Sequence, residues 1–380
     1  MEVGLVGALP PARLSLVNCN IILHPSCRGW IIEKMALRLD TALRELGVNS
    51  AVTPAWSATA DINHFMIFHY VEDARPGRNT MLITHVDDAL KHLMIRDALA
   101  VIEAGICMSQ MTVDLLVNEG IPRDQLCYIL PANDKRTSPR RIVIGITSNL
   151  YSDGRKREFL LARLAQEMDL SPFHFEVFGR GWDRTAEQLR AGGATVTVTD
   201  GTDDYAGDYA AMCARIPHFD YYYYMGLDEG SMGVLDALDA GIPTIITPQG
   251  FHLDIPDAIT HPFVDYPEMR AIFAGIAKGR AQRLAAAASL NWTEHARRHL
   301  ELWTAMVEGR RTEFMAEERA RPSPASAPAS QRQRSPLQRI GDYLKLGNHY
   351  RWNMLKRYYL PKVKRRVERA QKRLGLKPKG

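Results

Sequence analysis

The 380-residue sequence has few cysteines. The five (Cys19, Cys27, Cys107, Cys127 and Cys213) are odd in number and include no Cys-x-x-Cys pair. That spacing argues against a disulfide framework and a thiolate zinc site, and predicts a reduced, cytoplasmic compartment. No apolar run approaches the length of a membrane span. The first fifteen residues carry an early Glu2 and a Pro10-Pro11 break, a poor signal peptide. Nor is there a basic folded body. Residues 336–380 hold 14 Lys and Arg against 2 Asp and Glu, so this tail carries +12 of a net +5, and residues 1–335 carry −7. An acidic body argues against nucleic acid as a partner.

What is present is ordinary globular material, 46% hydrophobic, in a length that allows two or more domains. Strand patterns at 16–23, 65–70, 81–85, 104–108 and 126–130 alternate with helical ones at 30–46, 87–99 and 112–118. A polar stretch, 134–140, reads as a linker. Then strands at 141–147, 173–178 and 194–198 alternate with helices at 155–168 and 205–216, and a long helix at 291–307 follows. Alternation of this kind predicts parallel sheets with helices on both faces. Residues 319–336, rich in Pro, Ser and Ala, read as a disordered linker. The domains expected are 1–138, 139–318, the linker 319–336 and a basic aromatic tail, 337–380.

The second half is organised around residues 219–250, FDYYYYMGLDEGSMGVLDALDAGIPTIITPQG. An aromatic strand run meets an acidic, glycine-bearing turn (226–230). A helical pattern with Met232, Leu235, Ala237 and Leu238 stops at Gly241, and a β-branched run begins after Pro243. This is a βαβ unit, and such units bind ligands at the carboxyl ends of their strands. N–H groups at the turn, from Gly230 and Ser231, suit a phosphate, while the carboxylates of Asp228 and Glu229 suit sugar hydroxyls. Together they point to a nucleotide-sugar. The plain alternative is a set of acids that only cap and solvate a helix start.

This stretch resembles the signature of family 4 glycosyltransferases: Glu-Gly-Phe-Gly, Leu-Glu-Ala and Gly-x-Pro, with seven residues between two glutamates. Here Asp236 replaces the second glutamate. For the first, Glu229 fits the local Glu-Gly context and is preferred, whereas Asp228 fits the spacing. The earlier segment with Ser109, Gly120-Ile121 and Pro131-Ala132-Asn133 resembles the end of the N-terminal domain in the same family. The resemblance implies a GT-B fold: two doubly wound Rossmann-like α/β domains facing a cleft, with a late helix crossing back to the first, here followed by the basic helical tail. It also implies sugar transfer with retention of configuration from a nucleoside-diphosphate donor to a saccharide or lipid-linked acceptor, in cell-surface polysaccharide or glycolipid synthesis.

The resemblance further assigns roles. Glu229, or Asp228, would hold hydroxyls of the transferred sugar, and Asp236 the ribose. Arg155 and Lys156, at a helix start after Gly154, would take the charge of the diphosphate, with Arg180 in Gly-Arg-Gly as a further cation. The family's usual loop arginine is replaced by Ser148 or Asn149. His85, in Thr-His-Val-Asp-Asp, would face the sugar from the first domain, or else only bond nearby backbone. No Asp-x-Asp pair occurs, so neither metal nor cofactor is expected. The tail, mixing tyrosine and tryptophan with Lys and Arg, predicts peripheral attachment to the inner face of an anionic membrane. Two other readings are kept: a sugar-nucleotide epimerase and a non-catalytic GT-B binding module.

Overall fold

The computed structural model describes residues 17–71, 74–86 and 89–320. The tail at 337–380, most of the linker, and Asp87 and Asp88 beside His85 lie outside the described residues. Two compact units form, one from residues 17–134 and 290–320, the other from residues 135–289.

The first unit opens with β1 (Asn18–Ile22), α1 (Ile31–Glu45), β2 (Asn49–Thr53) and β3 (Ile62–Phe65). Then come β4 (Asn79–Ile83), α2 (Ala89–Leu99), β5 (Ala104–Cys107), α3 (Gln110–Asn118) and β6 (Leu126–Tyr128). All strand pairs are parallel, in the order β2-β1-β3-β4-β5-β6. β4 and β5 are buried along their whole length, as strands of a parallel sheet covered by helices on both faces are; most of their residues are apolar, and the polar ones, Asn79 and Thr80, open β4.

The second unit contains β7 (Ile142–Thr147), α4 (Phe159–Glu167), β8 (Phe173–Phe178), α5 (Asp183–Ala191), β9 (Thr195–Thr199) and α6 (Tyr205–Arg215). It continues through β10 (Tyr221–Tyr224), α7 (Gly233–Asp239), β11 (Thr244–Ile246), β12 (His261–Pro262) and α8 (Tyr266–Ala288). Its parallel order is β12-β11-β10-β7-β8-β9. The chain leaves β7 toward β8 on one side and returns to β10 on the other. That reversal is a topological switch point, where a crevice opens at the strand carboxyl ends. Each unit thus has the doubly wound, Rossmann-like form expected of a GT-B chain.

Two further helices, α9 (Trp292–Val307) and α10 (Arg311–Ala320), belong to the first unit. Trp303 of α9 is fully buried in the core that α1 shares with one face of the first sheet, and its indole Nε1 donates to Thr80 Oγ1 at 3.2 Å. The sequence pattern assigns residues up to 318 to the second domain, whereas residues 290–320 pack with the first unit. Helix α10 also extends to Ala320, into the stretch expected as linker. All five cysteines are free. Among the described residues no helix is long and apolar enough to cross a membrane.

The strand expected at 65–70 lies earlier, at β3, and Phe68–Tyr70 is a turn of 3-10 helix. The helix expected from residue 155 begins only at Phe159. Residues 155–158 are loop because Arg157 takes a left-handed conformation, φ +52°, incompatible with a helix.

Candidate functional site

At the switch point of the second unit, the loop after β7 brings Lys156 against the turn after β10. Lys156 is buried, and its Nζ donates to Tyr224 Oη and to Asp228 Oδ2, both at 2.7 Å. Tyr224 closes the triangle by donating to Asp228 Oδ1, which also accepts the Gly230 N–H at 3.2 Å. Burial pushes the Asp228 carboxyl up, but the bonds from Lys156, Tyr224 and Gly230 outweigh it and hold the group below its ordinary range. The phenol of Tyr224 is pushed well above its ordinary value, first by burial and then by the adjoining carboxylate. A backbone bond ties the two loops, Leu227 N–H donating to Arg155 O at 2.8 Å, and the side chain of Gln249, from the loop after β11, donates through Nε2 to Asp228 O at 2.8 Å.

Glu229, one residue on, behaves differently. It is exposed, and its carboxylate makes no hydrogen bond or ion pair among the described residues. Two neighbouring acids therefore have separate environments. Asp228 is the counter-ion of a buried lysine, and Glu229 stands open.

The amides predicted for a phosphate already have partners. Gly230 N–H bonds Asp228, and Ser231 N–H donates to His252 Nε2 at 3.0 Å. The fully buried His252 ring fits because Gly230 (φ +118°) has no Cβ; one placed there would sit 2.7 Å from Nε2. Burial lowers the His252 pKa, which keeps Nε2 an acceptor. A phosphate at these two amides must displace both partners, and α7, with seven residues, is a short helix to hold one.

Below the turn, Thr147 Oγ1 lies 2.7 Å from Tyr222 Oη, which lies 2.8 Å from Ser231 Oγ. Burial pushes the Tyr222 phenol up to about 12. Gly233 is required here, since a Cβ would overlap the hydroxyls of Thr147 and Tyr222.

The remaining candidates are dispersed. Arg155 is exposed, with its guanidinium 4.2 Å from the Tyr151 ring centroid and Nε 3.4 Å from Asp153 Oδ2. Arg180 turns to its own neighbourhood, donating to Gly201 O (3.0 Å) and Thr202 O (2.9 Å). Asp236 accepts from Tyr209 Oη at 2.7 Å, a bond that raises the Tyr209 phenol pKa. His85 follows β4 in the first unit; its Nδ1 lies 2.8 Å from Thr84 Oγ1 and its Nε2 2.9 Å from Lys91 Nζ.

Arg157 was not among the expected residues. It donates to Met225 O at 2.6 Å, to Val264 O at 2.8 Å and to Thr247 Oγ1, so one guanidinium joins the carboxyl ends of β10 and β11 to the start of α8. Burial lowers its pKa. Nothing in Gly-Arg-Lys-Arg distinguishes it from Arg155, because its partners lie 68 to 107 residues away.

No family model matches this sequence, and no curated protein matches it. Solved structures similar to the chain include HepE of Anabaena in complex with UDP and glucose: 11% identity, 79% of this chain and 100% of that one, TM-score 0.28. They also include the apo form of the lipopolysaccharide outer core galactosyltransferase WaaB: 10% identity, 80% and 98%, TM-score 0.29. A third is a putative UDP-N-acetylglucosamine 2-epimerase from Listeria monocytogenes: 10% identity, 77% and 97%, TM-score 0.30. Likeness at this level carries no argument about substrate or mechanism, which must rest on the chain's own side chains.

Proposed function

We propose that the chain is a glycosyltransferase that moves a sugar from a nucleoside-diphosphate donor to a saccharide or lipid-linked acceptor. The observation that carries this reading is the split between the two acids at the switch point: Asp228 is bound to buried Lys156, while Glu229 is left open beside them. An open carboxylate at a strand carboxyl end suits sugar hydroxyls. A lysine fixed within hydrogen-bond reach of the same turn, with exposed Arg155 next to it, suits the negative charge that builds on a departing diphosphate. Asp236, in the first turn of α7, would take the ribose once Tyr209 yields it.

In the reaction proposed, the bond from the sugar's anomeric carbon to the diphosphate oxygen breaks. The acceptor hydroxyl forms the new bond on the same face and gives its proton to the leaving phosphate. Retention and independence of a divalent metal belong to this proposal, as do membership of family 4 and a role in cell-surface polysaccharide or glycolipid synthesis. A role for His85 toward the sugar belongs to this proposal as well. The tail at 337–380 would hold the enzyme on an anionic membrane from the cytoplasmic side.

A second reading, a non-catalytic binding module, is favoured by one observation: both turn amides that would cradle a phosphate are bonded within the chain. Donor turnover separates the two. UDP- and GDP-sugars are incubated with the full chain, with and without excess EDTA, and released nucleoside diphosphate is measured. Release that survives EDTA and drops at least tenfold in Lys156→Gln supports the transferase. Binding of nucleoside diphosphates without any release supports the module.

A further inference from the structure

The opposite end of the second sheet carries a feature unrelated to this site. A groove of about 680 Å³ opens at the amino ends of β7, β10 and β12, where Ile142, Tyr221 and His261 line it. Four arginines stand around it, Arg140, Arg141, Arg280 and Arg283, against one carboxylate, Asp220. That carboxylate is already engaged: it accepts from Arg140 at 2.5 and 2.8 Å and from Val143 N–H at 2.8 Å. Arg141 donates through Nε to Ser171 O, and Arg280 through Nε to Arg140 O, both at 3.1 Å. Arg283 makes no hydrogen bond or ion pair among the described residues. Three guanidinium groups therefore gather around one groove with no carboxylate partner among the described residues.

The floor has another character. Ala271, Gly275 and Gly279 follow one another at four-residue steps on α8, so they share a helix face and leave it without side-chain bulk. A Cβ added at Gly275 would meet nothing within 4 Å. Tyr221, Ile272, Ile276 and Leu284 supply apolar walls. Clustered like charges repel, and the planar guanidinium fork matches a phosphate with two parallel hydrogen bonds. An anion therefore relieves the repulsion, and the bare face of α8 gives an attached apolar body somewhere to lie.

We propose that this groove binds a phosphate ester, with its phosphate among Arg141, Arg280 and Arg283 and its apolar body along the glycine face of α8. The ester is either a lipid phosphate or a soluble phosphorylated metabolite. The site is independent of the donor end, which lies at the other ends of the same strands.

The test follows hydrogen exchange in residues 271–284 of the full chain. One arm adds dihexanoyl phosphatidic acid below its aggregation concentration, and the other adds inorganic diphosphate. Protection by the lipid phosphate is expected, with affinity at least tenfold weaker in the double variant Arg280→Ser, Arg283→Ser. Gly275→Leu should abolish protection without lowering the unfolding midpoint, because its Cβ meets nothing within 4 Å, its side chain extends into the groove, and leucine favours a helix over glycine. Equal protection by diphosphate, with the same loss in the arginine variant, supports the phosphate site with a soluble source and overturns the role given to the glycine face. Absence of protection by either compound, or protection that survives both variants, overturns the proposal.

Discussion

The two sheets reverse direction in the same manner yet place different chemistry at the reversal. In the first unit the switch point lies between β1 and β3. There the His24 ring stacks on Tyr70 with centroids 3.7 Å apart. Deeper in the same unit, His64, His295 and His299 are buried around Trp303. Burial lowers the pKa of all three, so they pack as neutral rings. In the second unit the crevice between β7 and β10 holds charges: Lys156 with Asp228, and Glu229 beside them. One topology thus serves two ends. Titratable groups that have been neutralised by burial hold a helix to a sheet in the first unit, whereas in the second a buried ion pair and an open carboxylate stand at the switch point. The fold sets where a crevice lies, and the loops decide what it can do.

The sharpest way to break the comparison is to remove the packing of the first unit. Trp303→Ala should cost about 3–5 kcal/mol, from lost transfer energy and the cavity left behind. Urea unfolding followed by exchange should show protection lost in residues 17–134 and 290–320, with residues 135–289 retained. A loss under about 1 kcal/mol would refute the role given to α9.

Acid is the next lever. His64 is depressed from 6.5 to about 3, so its contribution is complete above pH 6.5 and is lost as the pH falls from there toward 3. By pH 5 the loss for this one ring is about 2 kcal/mol, at 1.4 kcal/mol per unit. Asp228 is also depressed, but from the ordinary carboxylate value of 3.8, so its contribution persists until the pH falls below that. The second unit also holds lowered rings, buried His252 and half-buried His174, so it too weakens below pH 6.5, but the first has three that are buried together. Exchange between pH 7 and pH 4.5 should therefore open the first unit before the second; the reverse order would contradict the assignment.

A smaller effect is expected at Asp236. Asp236→Asn removes one charged partner for the donor and should raise the donor KM by an amount worth about 1 kcal/mol, with kcat unchanged. A fall in kcat at constant KM would place Asp236 at the reacting bond instead. For the tail, co-sedimentation of the full chain with anionic liposomes should weaken with salt and vanish in a version ending near Arg321. Equal solubility of both versions at low salt would remove the membrane proposal.

Much of the fold was legible because its strands are buried on both faces and read as apolar runs between helical periods. What escaped did so for physical reasons. Edge strand β2, Asn-Ser-Ala-Val-Thr, is half polar and gives no run. The run Phe-Met-Ile-Phe-His-Tyr is apolar or aromatic with no alternation, so periodicity could not show that its end coils into a 3-10 turn. At the candidate site, the turn with Asp228, Glu229 and Gly230 was visible in sequence. The pairing of Asp228 with Lys156 was not, because 72 residues separate them. Nor could the sequence show that His252 occupies the Ser231 amide, since that contact depends on the missing Cβ of Gly230.

The central claim is that Asp228 serves the lysine while Glu229 serves the sugar. It is tested most directly by measuring kcat/KM for donor turnover and the unfolding midpoint on Glu229→Gln and Asp228→Asn side by side. Glu229→Gln should lower kcat/KM roughly tenfold to a hundredfold, on the order of 1.5–3 kcal/mol, and change stability by less than about 0.5 kcal/mol. Asp228→Asn should lower both activity and stability, because it leaves buried Lys156 without its counter-ion. Full activity in Glu229→Gln, with activity lost and stability kept in Asp228→Asn, would contradict the account and exchange the roles of the two acids.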